Sequence, residues 1–114
     1  MDVMQTVGKW DQSLRDGDWE LARSMLADDA TYTASGIDCR DADEIVDLMR
    51  SFKGQLPDVQ VIEWDVRADD VIARLRQPAF GDDADWYQVL DVHDEKVARL
   101  RDFGSKEDAI AATA

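Results

Sequence analysis

The sequence contains one cysteine and one histidine in 114 residues. A single thiol, Cys39, excludes an internal disulfide, and a reducing cytoplasm is the simple expectation. The single imidazole, His93, lies at a turn beside Asp91 and Asp94. Catalytic zinc needs three converging protein ligands, so no metal is expected there. Basic charge is scarce: 13 Lys and Arg face 26 Asp and Glu, for a net charge of −13. Nucleic acids and anionic membrane surfaces both require a basic footprint, and neither is an expected partner. No apolar run is long enough to span a bilayer, and the N-terminal stretch is too charged for a secretion signal. The phosphate-cradling glycine motifs are absent. Asp82, Asp83 and Asp85 lack the Gly and Glu positions of a calcium loop and read as a solvated segment. No cofactor is expected.

What remains is a chain of single-domain size, residues 1–114, with 45% apolar residues, enough for an ordinary core. Asp supplies 21 of the 26 acids and is dispersed along the chain, which reads as a solvated acidic surface.

The most informative stretch is 86–103. Trp86, Gln88, Leu90 and Val92 alternate with Tyr87, Val89, Asp91 and His93. Asp94-Glu95-Lys96 makes a turn, after which Ala98, Leu100 and Asp102 alternate with Val97, Arg99, Arg101 and Phe103. Period-two alternation around a turn predicts an antiparallel hairpin. One face carries Arg99 and Arg101 and reads as solvated. The other is mostly apolar but ends in a carboxylate, Asp102.

The preceding chain reads as helix, helix, strand, helix and two strands. Val3, Val7, Trp10 and Leu14 mark a helix over 2–16 that Gly17 ends. Asp18 caps a second, Trp19 to Ala27, with Trp19, Ala22, Met25 and Leu26 as its stripe. Residues 30–34 form a short strand and 35–38 a loop. Asp41 or Asp43 caps a third helix to about Lys53, bearing Ile45, Leu48, Met49 and Phe52; Gly54 and Pro57 bracket its end. Strands follow at 59–69 and 71–79. The first places Ile62, Trp64, Val66 and Ala68 inward, the second Val71, Ala73, Leu75 and Gln77. Glu63 and Asp65 face Arg74 and Arg76 across the pair, which helps register. The polar stretch 81–85 leads into the hairpin, and Ser105 begins a short, fraying terminal turn or helix. Helices segregated from a run of antiparallel strands predict an α+β fold.

Gly17-Asp18-Trp19, then Leu26-Ala27-Asp28-Asp29-Ala30-Thr31-Tyr32, resembles the opening of nuclear-transport-factor-2-like domains. The segment from Val89 to Phe103 resembles the closing hairpin of their SnoaL-like, polyketide cyclase-like branch. The resemblance implies a cone-shaped, curved antiparallel sheet wrapped around three helices from the N-terminal half. It also implies an apolar pocket, and dimers are common in such proteins. Asp102 falls where that branch has its catalytic aspartate, while Leu100 replaces a histidine of its usual motif. Trp10, Ala34 and Gln88 stand where ketosteroid isomerases have a tyrosine, their base and a protonated aspartate, so that activity is not expected.

The expected pocket binds a small apolar molecule. Trp10, Tyr32 and Trp64 would line it, with Leu75 and Trp86, and with Gln88 and Leu100 near Asp102. The alternative use of the same cone is cofactor-independent cyclase, isomerase or dehydratase chemistry, with Asp102 as general acid/base. A homodimer through the outer sheet face is expected from the family habit and from Tyr87 and Val89, apolar residues on that face.

Overall fold

A computed structural model describes residues 2–55, 59–80 and 85–113. Pro57 and the acids Asp82 and Asp83 lie outside the described residues. Helix α1, Val3–Asp16, starts from a reciprocal cap: Asp2 Oδ1 accepts from Gln5 N at 2.8 Å, and Gln5 Oε1 accepts from Asp2 N at 2.9 Å. Gly17 ends it with φ +68°, the left-handed geometry that glycine adopts without strain. Asp18 caps α2, Trp19–Ser24, by accepting from Leu21 N at 3.1 Å.

Helix α2 is shorter than its sequence pattern predicts, because the sheet claims its last residues. Met25 O accepts from Val97 N at 2.8 Å, and Leu26 already pairs with Val97. Strand β1 therefore runs over Leu26–Ala34, and the expected loop after it is a hairpin to β2, Ile37–Cys39. Asp41 caps α3, Ala42–Gln55, through Glu44 N at 2.9 Å. Asp43 instead binds Arg23 at 2.8 Å.

Strands β3 (Gln60–Arg67), β4 (Asp70–Arg76), β5 (Asp85–His93) and β6 (Lys96–Phe103) pair antiparallel in succession. The order across the sheet is β2-β1-β6-β5-β4-β3. One pairing departs from the expected antiparallel sheet: β1 runs parallel to β6, bringing Tyr32 beside Leu100. The fold is α+β, a curved six-stranded sheet with α1, α2 and α3 over its inner face.

Two irregularities override simple alternation. The β3–β4 register shifts between Val61 and Glu63, so Val61 packs on the core while Ile62 is exposed. Val66, also expected inward, is exposed on this edge strand. In the hairpin a bulge lies opposite Asp91 and Val92, which turns Val97 into the core rather than onto the charged face. The hairpin turn itself is only two residues, Asp94 and Glu95, with φ +52° and +64°. Both are L-residues in left-handed geometry, a cost of roughly 1 kcal/mol each. Glu95→Gly is therefore expected to raise stability by about 1 kcal/mol, read as a higher urea midpoint at unchanged slope.

The outer face is not simply solvated. A fourth helix, α4, Lys106–Ala112, is capped by Ser105 and lies across it. It covers Ile72 and Val89, with Tyr87 and Phe103 at the margin. Tyr87 and Val89 thus have a partner within their own chain. Elsewhere on this face Arg74 and Arg76 converge on Asp85 at 2.8 and 2.7 Å rather than forming the expected ladder with Glu63 and Asp65. Arg99 and Arg101 reach the buried Asp91 at 2.6 and 3.1 Å. Arg101 is thereby largely buried, not solvated.

Candidate functional site

Position along β6 decides which acid enters the interior. Beyond the bulge, strict alternation resumes, so Leu100 and Asp102 point inward while Arg99 and Arg101 point outward. Gln88 lies directly opposite Asp102 in the register. Its Nε2 donates to Asp102 Oδ1 at 2.9 Å. Tyr32 reaches the same carboxylate from β1, on the parallel side, and its hydroxyl donates to Oδ2 at 2.6 Å. Each carboxylate oxygen therefore accepts one hydrogen bond, and each keeps further lone-pair capacity.

Burial raises the Asp102 pKa above the ordinary carboxylate range, and the bonds from Tyr32 and Gln88 partly oppose that rise. Tyr32 is pushed upward, by burial first and by the Asp102 charge second. The phenol thus remains a proton donor at any physiological pH.

Asp102 lines a cavity of about 280 Å³ between the helices and one end of the sheet. Tyr32, Trp86 and Gln77 line it beside Asp102; Leu14, Trp19, Ile37 and Met49 supply apolar wall. Asp11, Arg15 and Lys53 add charged groups, and the Arg15 guanidinium is tied to Asp11 at 2.9 Å. Lys53 Nζ donates to Arg15 O at 2.7 Å, near the C-terminus of α1. Phe52 and Phe80, both exposed, complete the lining with Val59.

The structure brings together Tyr32, Trp86 and Asp102 at this cavity, with Gln88 behind as the clamp on Asp102. It does not bring the other four expected residues there. Trp10, Leu75 and Leu100 are buried in the core, and Trp64 packs half-buried against it. Strand alternation selects the face of the sheet but not the position along it; α1 packs over β4, β5 and β6 and α3 over β1 and β2, and the cavity lies beside Gln77, at the start of β5 and near the end of β6. Phe80 was not anticipated; it sits in a single 3₁₀ turn, Pro78–Phe80, after β4. Trp19 and Met49 were legible as helix stripes but not as cavity wall.

Among the described residues no group of three or more His, Cys, Asp or Glu side chains is placed to hold a metal. Among the described residues no helix is long and apolar enough to cross a membrane.

No family model matches the sequence, and no curated protein matches it. Solved structures do match. A nuclear-transport-factor-2-like protein of unknown function from Cytophaga hutchinsonii is 11% identical, with 96% of each chain covered and a TM-score of 0.77. A polyketide cyclase-like protein from Sinorhizobium meliloti is 16% identical, over 90% of this chain and all of its own length (100%), with a TM-score of 0.76. An epoxide hydrolase from M. tuberculosis is 17% identical over 97% of this chain and 88% of that one, at a TM-score of 0.70. At these identities the likeness speaks to the fold, which is that of nuclear-transport-factor-2-like proteins.

Proposed function

We propose that this nuclear-transport-factor-2-like chain binds a small, mostly apolar molecule in the cavity, oriented by a hydrogen bond to Asp102. The observation that carries the reading is a carboxylate on the wall of an otherwise largely apolar cavity, clamped by Tyr32 and Gln88. A concave apolar site with a few convergent polar groups is the usual form of a small-molecule site. The clamp fixes Asp102 in place and satisfies it without a ligand, as a recognition group requires. Its spare lone pairs accept from a ligand donor such as a hydroxyl.

Acid/base catalysis is the second reading, favoured by one observation: burial raises the Asp102 pKa, the direction that suits a general acid/base. Polyketide cyclase-like and epoxide hydrolase relatives in fold keep that chemistry in view, but fold alone does not assign it. Two intramolecular donors already stabilise the carboxylate, which favours binding over turnover.

The test is titration with the fluorescent probe 1-anilinonaphthalene-8-sulfonate. Saturable enhancement at one site per chain is expected. Met49→Trp, which fills the cavity wall, should weaken it at least about tenfold with little change in melting temperature. Enhancement that is non-saturable, or indifferent to Met49→Trp, would remove the cavity from consideration.

A further inference from the structure

Among the described residues, every acid that is not exposed, except one, is answered by a cation of its own chain. Asp11 binds Arg15 at 2.9 Å, and Asp65 binds Arg67 at 3.0 Å. Asp85 holds Arg74 and Arg76, and Asp91 holds Arg99 and Arg101. Asp70, across the register from Asp91, lies in the field of the same two arginines. The exception is Asp102. Its partners, Tyr32 and Gln88, are neutral donors, and they alone oppose the effect of its burial; no Lys or Arg acts on it. The two cations of the cavity lining are engaged elsewhere, the Arg15 guanidinium by Asp11 and the exposed Lys53 by Arg15 O. The chain thus sets a carboxylate on a largely apolar wall, beside the rings of Tyr32 and Trp86, without a counter-charge.

We infer that the site takes an apolar amine, whose protonated nitrogen supplies the counter-charge that Asp102 lacks. This rests on the binding reading above and adds to it the charge of the ligand's donor. Both Asp102 oxygens retain acceptor capacity, so an ammonium group binds without displacing Tyr32 or Gln88. A hydrogen bond with ionised partners is about twice as strong as a neutral one. A hydroxyl would fill a lone pair but leave the carboxylate charge unpaired in apolar surroundings, which is costly. The aromatic lining adds to the preference, because the face of a ring attracts a cation. The net charge of −13 also draws cations, not anions, toward the chain.

Calorimetric titration at pH 7 with two molecules of the same shape tests this: cyclohexylmethylamine, an alkylamine protonated at that pH, and cyclohexylmethanol, which is neutral. The amine is expected to bind at least about tenfold more tightly than the alcohol. Asp102→Asn, which keeps the size of the side chain and removes its charge, should erase that difference while the alcohol still binds. On the parent protein the difference should persist in about 0.5 M NaCl, where attraction to the acidic surface is screened. Equal affinity of amine and alcohol overturns the counter-charge inference and leaves the cavity as an apolar site. So does a difference that survives Asp102→Asn or vanishes in salt. Binding of neither molecule overturns the underlying binding reading, and this inference falls with it.

Discussion

Replacing Ile72 with alanine is expected to lower the unfolding free energy by about 3 kcal/mol, the usual range for emptying a fully packed aliphatic site. The size of the effect follows from α4. Ile72 is 2% exposed and Val89 0% exposed, although both belong to the sheet face opposite the main core. They are shielded because Ala109, itself fully buried, brings α4 down onto them. On an open sheet face the same substitution would change stability by only about 0.5 kcal/mol. Urea unfolding distinguishes the two. A loss below about 1 kcal/mol would mean that α4 does not cover the sheet in solution. Ala109→Asp should cost a similar amount, since it forces either a buried unpaired carboxylate or an undocked helix.

That helix also shows where sequence reading stopped. Its capping serine was legible, but Ala109, Ala111 and Ala112 offer little apolar area, so the segment reads as a fraying tail. Its docking depends on Ile72 and Val89 from two other strands, which no local period reveals. The hairpin was legible because alternation depends only on neighbouring residues. It failed at Val97, where one extra residue in the bulge shifts the facing by one, and at Ile62 for the same reason. In the site, the inward facing of Asp102 and Gln88 came from the hairpin. The Tyr32 clamp did not, because it needs β1 to enter parallel to β6 across 70 residues of sequence separation. Trp10, Leu75 and Leu100 were placed on the right face but not at the right depth. Depth is set by where the helices cross the sheet, and that is a tertiary quantity.

The Asp102 clamp gives a pH dependence with a definite sign. Burial raises the native pKa of Asp102 above its value in the unfolded chain. Between those two values the native state holds the proton more tightly, so stability falls as pH rises through that window. The contribution is fully present below about pH 4, the unfolded carboxylate value, and is lost once pH exceeds the raised native pKa. Asp102→Asn removes the titration while keeping size and hydrogen-bonding capacity; the amide oxygen still accepts, and the Gln88 amide can turn to accept in return. The variant is therefore expected to match the parent within about 1 kcal/mol near pH 4 and to gain on it as pH rises. Tyr32→Phe should do the opposite. It deletes a donor to a charged acceptor, a loss of about 2 kcal/mol when Asp102 is ionised and under about 1 kcal/mol when it is protonated. Urea midpoints for parent, Asp102→Asn and Tyr32→Phe from pH 4 to pH 8 separate this from all other titrations, which cancel in the differences. The lowered pKa of Asp85, held by Arg76 and Arg74, has the reverse sign but is common to all three proteins. Parallel stability curves for parent and Asp102→Asn would show that Asp102 titrates alike folded and unfolded. The hydrogen bonds from Tyr32 and Gln88 would then offset the burial of Asp102 in full, and Asp102 would contribute no pH dependence to stability.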